Sequence, residues 1–248
     1  MGKFANKGVA KLGIRIVPGS TTTFTNQLLP AIPNTHSILI ELFFNFNSPY
    51  IALGSNPCWV LYNSAYNESM HYYCNNTAKK SVLRLGSVAG GSDLTSGIVY
   101  PIYPRKYYYI AMLLDRTNSK KKIYEYGNNV LNDAIAAVNP NFNTANNIFY
   151  ATSAGVTVVD FTYIALRFST LSSVPSDIDA AIKRMWNKPM LLDSSLSAVA
   201  VIASQWDFST DTYSTTSLLT LLDTGIVGGY NLTSNIDCRP LLTICEKI

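Results

Sequence analysis

The run YYYIAMLLD, from Tyr107 to Asp115, decides the fold of this chain. It is dominated by aromatic and aliphatic side chains, which is typical of a long β-strand. The polar residues RTNSK, 116–120, favour a turn directly after it. The following residues, 122–126, alternate between two faces as a second strand would. Together these residues predict two β-strands joined by a turn, with the lysine triplet 120–122 in a solvated hairpin turn.

Shorter strand patterns extend in both directions from this hairpin. Turn residues such as Pro, Gly, Asn and Ser separate many of them. The patterns fall at 37–46, 50–54, 58–62, 70–74, 81–85, 98–103, 148–151 and 156–168. Many short strands at regular spacing predict a β-sandwich or a barrel.

Residues 173–186 contain the clearest helix pattern. Ser176 stands at the expected N-cap, with acidic residues in the first turn and basic residues in the last. Ile178, Ile182 and either Met185 or Trp186 share one face at helical spacing. We therefore expect a short amphipathic helix near 176–186, packed on the sandwich and ended by Asn-Lys-Pro at 187–189.

The region 107–189 resembles the second half of a laminin-G-like domain of the concanavalin A-like jelly-roll family. The resemblance rests on the strand at 109–115, the strand and turn at 122–130, and the closing strand at 159–168 with the helix after it. It covers about a third of the chain well. The turn departs from the family's Tyr-x-Asn-Gly, because Tyr124 is followed by Glu-Tyr-Gly-Asn.

This resemblance implies an all-β, two-sheet antiparallel jelly-roll sandwich with one short helix. We expect an N-terminal extension at 1–30 and the jelly-roll domain at 31–189. Residues 190–248 would then form a C-terminal extension that completes the sandwich or contacts a neighbouring subunit. Relatives in this superfamily bind sugars or proteins, lie on cell surfaces or decorate virions, and some are glycoside hydrolases.

The composition narrows the classes of partner. Of the 248 residues, 48% are apolar and only 14% are charged, with a net charge of +4. A surface poor in charge suits a subunit that packs against copies of itself, and it equally suits a neutral, polar monomer. The basic residues are scattered rather than clustered, which argues against nucleic acid as a partner. No run reaches the roughly 18 apolar residues of a membrane span, and the N-terminus has no pattern of a signal peptide.

Four cysteines and three glycosylation motifs bear on the environment of the protein. Cys58 with Cys74, and Cys238 with Cys245, could form disulfides, which would imply an oxidising setting. Four buried free thiols are the alternative. None of the cysteines forms a Cys-x-x-Cys pair, so a zinc site is not expected. Asn-x-Ser/Thr motifs, which chance could also supply in an Asn-rich chain, occur at Asn67, Asn75 and Asn231.

Catalytic patterns are missing from the sequence. The paired-carboxylate string of jelly-roll glycoside hydrolases does not occur. The two histidines, His36 and His71, do not lie near a nucleophile elbow. No acidic loop has the oxygen ligands that calcium requires. We therefore predict no enzyme activity, no cofactor and no metal.

Tyrosine, with 16 copies, is the residue type that could bind a ligand. Aromatic rings near predicted loops could stack on sugar rings, beside hydroxyl and amide groups. The alternative is that these tyrosines fill strand faces and interfaces. The candidates for glycan contact are Tyr66, Tyr72, Tyr73, Tyr100 and Tyr103.

Three hypotheses about function follow. The first is a non-enzymatic structural subunit of a virion or extracellular assembly, such as a capsid, spike or filament protein, with copies of itself as partners. It would act in the virion or on an extracellular surface. The second is a lectin-like module for attachment to surface glycans. A glycoside hydrolase is the third, and the missing carboxylate string counts against it.

Overall fold

The computed structural model describes residues 10–16, 24–46, 57–75, 80–87, 92–95, 106–135, 139–150, 161–187, 192–207, 220–221, 232–234, 240–244 and 246–247. Strands dominate these residues. The first eight strands are β1 Ala10–Ile16, β2 Phe24–Leu29, β3 Ser37–Phe46, β4 Pro57–Tyr62, β5 Glu68–Asn75, β6 Lys80–Ser87, β7 Ser92–Thr95 and β8 Lys106–Asp115. The next four are β9 Lys120–Glu125, β10 Asn128–Ala134, β11 Asn147–Tyr150 and β12 Phe161–Leu171. Helices α1 Ile178–Asn187 and α2 Ser194–Ser197 follow, and then β13 Ala200–Asp207, β14 Thr220–Leu221, β15 Leu232–Ser234, β16 Pro240–Ile244 and β17 Glu246–Lys247.

The strands form two sheets. The nine-stranded sheet has the order β10-β9-β8-β3-β12-β1-β16, with β13 also paired to β12 and β17 to β8. The eight-stranded sheet has the order β14-β15-β2-β11-β4-β5-β6-β7. All pairings between the described strands are antiparallel except the short pairing of β17 with β8. The predicted two-sheet antiparallel sandwich is confirmed.

The core between the two sheets takes every second residue of the central strands. Ile38, Ile40 and Leu42 of β3 face it, as do Ile110 and Met112 of β8. Trp59 and Phe149 of the eight-stranded sheet meet them from the other side. Alternation along a strand therefore assigns the remaining residues of β3 and β8 to the opposite face.

Helix α1 covers that opposite face of the nine-stranded sheet. Its buried residues are Ile178, Ala181, Ile182, Met185 and Trp186, and they pack in a second apolar cluster that includes Leu39, Phe43, Tyr109, Ala111 and Leu113. The strands β3 and β8 thus bury apolar residues on both faces, which explains why both sequences are mostly apolar rather than alternating. The helix prediction is confirmed, with both Met185 and Trp186 on the buried side.

The start of α1 differs by one residue from the sequence prediction. The helix begins at Ile178, and the carbonyl of Asp177 accepts from the N–H of Ala181 at 2.9 Å. Asp177, rather than Ser176, therefore occupies the capping position. Its carboxylate pairs with Arg184, seven residues later in the helix, at 2.7 Å.

A tight turn brings the β9–β10 hairpin against α1. Tyr126 and Gly127 both have positive φ angles, 52° and 76°, and Glu125 pairs with Asn128 across them. Positive φ at both central residues is the geometry of a type I′ hairpin turn. The expectation that lysines 120–122 lie in a turn was wrong. They begin β9, and Lys121 is buried 3.8 Å from Asp133.

One charged pair is buried between the nine-stranded sheet and α1. Glu41 of β3 and Arg167 of β12 are direct neighbours in the sheet register, and Arg167 Nη1 donates to Glu41 Oε2 at 2.9 Å. The hydroxyl of Tyr109 donates to Glu41 Oε1 at 2.7 Å, and Arg167 Nε donates to Gln205 of β13 at 3.2 Å. These contacts compensate for the cost of burying two charges.

Strands from both ends of the chain join the sheets. β1 pairs with β12 and β16, and β2 pairs with β11 and β15. Trp206 of β13 is fully buried and stacks on Phe149, with ring centroids 5.5 Å apart. The division of the chain at residues 30 and 189 stays a prediction.

Candidate ligand-binding site

Three tyrosines meet beside the paired strands β4 and β11 of the eight-stranded sheet. Tyr62 closes β4 and Tyr150 closes β11, and the two strands are neighbours. Because Trp59, Leu61 and Phe149 face the core, alternation places Tyr62 and Tyr150 on the outer face. Their ring centroids are 6.0 Å apart in an edge-to-face arrangement. We call Tyr62, Tyr150 and the neighbouring Tyr66 the tyrosine cluster.

Tyr66 lies in the turn between β4 and β5 and completes the cluster. Its ring centroid is 5.6 Å from that of Tyr62, and its hydroxyl lies 3.3 Å from the hydroxyl of Tyr150. The side chain is 47% exposed. The cluster therefore presents one open aromatic ring that is supported by two half-buried rings.

Asn63 holds this turn in one conformation. Its Oδ1 accepts from the N–H groups of Asn67 at 3.1 Å and Glu68 at 3.3 Å, while its Nδ2 donates to Asn67 Oδ1 at 2.6 Å. The N–H of Tyr66 donates to the carbonyl of Asn63 at 3.0 Å. These bonds stabilise a positive φ of 55° at Tyr66, a conformation that costs a residue with a side chain about 1–2 kcal/mol.

The segment 139–146 lies against the turn and braces it. The hydroxyls of Ser64 and Thr144 are 3.1 Å apart, and the backbone N–H of Asn141 donates to Glu68 Oε2. Asn147 Nδ2 lies within hydrogen-bonding distance, at 2.8–2.9 Å, of the carbonyls of Pro30, Phe142 and Thr144. Hydrogen bonds therefore connect this segment to the turn that carries Tyr66.

Arg116 binds the segment 139–146 and the loop before β3 through its guanidinium group. Its guanidinium donates to Asn139 Oδ1 at 3.1 Å and to the carbonyls of Pro33 at 3.0 Å, His36 at 3.1 Å and Pro140. Burial lowers the pKa of Arg116 to about 10, and the nearby carboxylate of Glu68 opposes this change. The group consequently stays charged at neutral pH while most of its N–H groups are occupied by the protein.

Burial also shifts the pKa of the two supporting tyrosines, Tyr62 and Tyr150. It raises the pKa of Tyr62 and Tyr150 above the ordinary value of 10.0. Contact with Tyr66 adds to both shifts, through electrostatic repulsion at Tyr62 and through the hydroxyl hydrogen bond at Tyr150. Both phenols are therefore neutral at physiological pH and offer hydroxyl groups that can donate or accept.

The chemistry of this site is that of a binding surface. It offers aromatic rings, neutral hydroxyls and amides, and a carboxylate that is already bound to a backbone N–H. Among the described residues, no three His, Cys, Asp or Glu side chains form a group that could hold a metal ion. Within the same residues, no helix is long and apolar enough to cross a membrane.

The structure separates the tyrosines proposed for glycan contact. Tyr66 is exposed, whereas the proposal for Tyr72 was wrong. The ring of Tyr72 is fully buried between the sheets, 6.4 Å from the ring of Trp59, and no ligand can reach it there. Tyr73 lies in β5 with its side chain outside the described structure, and Tyr100 and Tyr103 lie outside the described residues.

The sequence analysis missed Tyr62 and Tyr150. Both end strands in which the preceding residue faces the core, WVLY at 59–62 and NIFY at 147–150. This matching pattern could have indicated that both tyrosines face outward. The sequence gives no sign, however, that β4 and β11 are neighbours.

The proposed disulfides and glycosylation sites stay predictions. Cys58 and Cys74 lie in the adjacent strands β4 and β5, with side chains outside the described structure. Cys238 and Cys245 lie outside the described residues, as does Asn231. Asn67 is exposed in the turn beside Tyr66, and Asn75 ends β5 with its side chain not described.

Comparison with known proteins gives structural matches alone. No protein family and no curated protein sequence matches this chain. A protein from Bacteroides ovatus to which carbohydrate binding has been ascribed has a TM-score of 0.58 at 15% identity, over 95% of this chain and 60% of that one. The binding domain of botulinum neurotoxin serotype D has a TM-score of 0.52 at 12% identity, over 75% of this chain and 48% of that one.

A heptameric pentraxin from Limulus polyphemus is also similar. Its TM-score is 0.50 at 9% identity, over 71% of this chain and 81% of that one. The chain thus spans about half to three fifths of the length of the Bacteroides and neurotoxin chains, and four fifths of the pentraxin. At such low identity these similarities show the fold alone. The chain has a concanavalin-like jelly-roll fold.

Proposed function

We propose that this chain is a non-enzymatic, lectin-like module that binds carbohydrate at the tyrosine cluster. The observation that carries the proposal is Tyr66. Its ring is nearly half exposed although it rests on two other tyrosines and is fixed in a strained turn. Tyr66 and Val201 are the exposed large hydrophobic residues of the described part of the chain.

The chemistry of the cluster suits a sugar. A tyrosine ring offers an apolar face that can stack on the C–H groups of a pyranose, and its hydroxyl can bond to the polar edge. Ser64 and Thr144 add hydroxyl groups on the two connected loops, and Asn67 adds an amide directly after Tyr66 in the turn. Because hydrogen bonds fix both loops before a ligand arrives, binding would lose little conformational entropy.

The structural neighbours support this proposal in general terms. Carbohydrate binding has been ascribed to the Bacteroides protein, and the neurotoxin match is a binding domain. The hypothesis of a virion or extracellular structural subunit receives no support from these neighbours and rests on the low charge content of 14%. Self-association and a location on a virion or extracellular surface remain proposals, which light scattering of the purified chain and imaging of its native source would test.

The experiment is a glycan array followed by calorimetry on the glycans that bind. Tyr66→Asn removes the ring and replaces it with a residue that tolerates positive φ, so the turn should persist. Removal of one stacking ring costs about 1–3 kcal/mol of binding free energy. We therefore expect the glycan affinity to fall about tenfold or more. Tyr66→Phe keeps the ring and should bind within about threefold of the wild type.

Val201→Ala is the matched control. Val201 is the other exposed large hydrophobic residue, and it lies on β13 in the opposite sheet. Its removal should leave glycan affinity unchanged. The proposal is wrong if no glycan on a broad array binds, or if Tyr66→Asn and Val201→Ala bind as well as the wild type.

A further inference from the structure

We infer that the tyrosine cluster selects neutral saccharides and disfavours sialylated or sulfated ones. This inference rests on the proposed function and names its ligand class. It depends on which charges surround Tyr66 and on whether a ligand can use them.

Several polar groups on the loops that carry and support Tyr66 are neutral. The hydroxyls of Ser64 and Thr144 lie 3.1 Å apart on the two loops, and Asn67 follows Tyr66 in the turn. The phenol of Tyr150 lies 3.3 Å from that of Tyr66, and burial raises its pKa further above neutral pH. Hydroxyls and amides can both donate and accept, which matches the hydroxyl groups of an uncharged sugar.

Arg116, which is bonded to the supporting loops, cannot receive an anionic sugar. Arg116 donates four hydrogen bonds from its five N–H groups to Asn139 and to three backbone carbonyls. Its partners are the loops that support the cluster, so a ligand carboxylate could bind it only by breaking them apart. A guanidinium already committed to structure offers no free fork for a carboxylate or sulfate.

A second cation on the same sheet is separated from the cluster. Arg84 of β6 lies in the row Tyr150–Val60–His71–Arg84 across four strands, roughly 14 Å from Tyr150 at the usual strand spacing. Val60 and His71 stand between Tyr150 and Arg84 in this row, and Val60 is fully buried. Arg84 also has interactions of its own within the protein.

Glu68 offsets the positive charge of Arg116. Its carboxylate interacts electrostatically with the guanidinium, and its Oε2 accepts from Asn141 at the junction of the two loops. An anionic ligand would therefore lose its hydration without gaining a net attraction from this pair of charges. Among the described residues, the cluster thus combines stacking and neutral hydrogen bonding with a desolvation cost for anions that the Glu68–Arg116 pair does not offset.

The test measures both members of a matched pair of glycans by calorimetry. N-acetyllactosamine and its sialylated form differ by one carboxylate-bearing sugar. We expect the sialylated form to bind about tenfold or more weakly than the neutral one. Affinity for the neutral form should change by less than about twofold between about 50 mM and 500 mM salt, because no ion pair is formed.

Glu68→Gln is the decisive variant. Glutamine keeps an oxygen that can accept from Asn141, so the loop junction persists while its charge is lost. The ratio of the affinity for the neutral glycan to that for the sialylated glycan should fall by about threefold or more, because the sialylated form binds more tightly. Thermal unfolding of the variant verifies that the fold is retained.

The outcomes separate the inference from the proposed function. Equal or tighter binding of the sialylated glycan with a loss on Tyr66→Asn would overturn the neutral selectivity and leave the glycan site in place. An unchanged affinity ratio in Glu68→Gln would also overturn the inference. If neither glycan binds and no other neutral glycan on the array does, the proposed function itself is wrong.

Discussion

At the scale of single residues, a few positive φ angles fix the turns that matter most. Tyr66 is one, and the pair Tyr126-Gly127 at the β9–β10 turn is another. At Gly127 the backbone also approaches α1. A Cβ atom there would lie 2.9 Å from Trp186 Cβ and 3.0 Å from Lys183 Cα. Only glycine satisfies both the positive φ of 76° and this close contact.

We therefore predict that Gly127→Ala is strongly destabilising. The left-handed conformation costs an alanine about 1–2 kcal/mol, and the overpacking against α1 adds about 1–3 kcal/mol. Urea unfolding followed by tryptophan fluorescence should show a loss of about 2–4 kcal/mol in the free energy of unfolding. Asn128→Ala, at the exposed neighbouring position, should change it by less than about 0.5 kcal/mol. Similar stabilities for the two variants would contradict this account.

Sequence reasoning identified one of the three clustered tyrosines. Tyr66 follows from its position in a polar turn. Tyr150 is 84 residues away from Tyr66, and such a distant contact depends on the order of strands in the sheet. Tyr72 was assigned to the wrong environment because the phase of alternation was not applied. Met70 and Tyr72 share a face, and that face is the core.

At the scale of elements, the apolar run at 107–115 predicted that β8 is a strand. It did not predict which elements pack on the two faces of that strand. An apolar run on both faces needs cover on both sides. The amphipathic pattern at Ile178 and Ile182 predicted an element that could provide this cover. Glu41 interrupts the apolar run of β3. The structure explains this charged residue, because Glu41 pairs with Arg167, 126 residues away in the sequence.

We predict that breaking the Glu41–Arg167 pair costs more than replacing it. Glu41→Gln leaves a buried guanidinium without its counter-charge, and such losses cost about 3–5 kcal/mol. The double variant Glu41→Leu/Arg167→Met removes both charges, so its loss should be smaller than that of Glu41→Gln alone. Urea unfolding measures all of these stabilities. The double-mutant cycle consists of the wild type, Glu41→Leu, Arg167→Met and the double variant, and Glu41→Gln is measured beside it. Additive losses in the double variant would show that the two charges do not stabilise each other.

At the scale of the whole molecule, the sandwich was predictable and its strand order was not. The count of short strands and the resemblance at 107–189 both led to a two-sheet jelly roll. The terminal strands gave weak patterns because several are very short, such as β14 with two residues and β15 with three. Short strands are defined by their partners rather than by their own sequence, so pattern alone cannot locate them.

The contribution of the terminal strands leads to a prediction about the fragment 31–189. That fragment lacks β13, which pairs along β12 from Leu171 to Ala165, and β1, which pairs with the other end of β12. It also lacks Trp206 and Leu29 of the core between the sheets. Loss of a buried tryptophan alone costs about 3–5 kcal/mol, against a total stability of about 5–15 kcal/mol for a typical domain.

We therefore expect fragment 31–189 to lack a cooperative fold, although it holds all the residues that resemble the jelly-roll family. Near-UV circular dichroism should show no fixed aromatic environment, and urea should produce no sigmoidal transition. Trp206→Ala in the full chain tests the contribution of this one core residue. It should lower the free energy of unfolding by about 3–5 kcal/mol while the fold is retained. A fragment with native near-UV signals and a cooperative transition would instead establish 31–189 as a domain that folds alone. The terminal strands would then be free to act between subunits, which is the role that the assembly hypothesis requires of them.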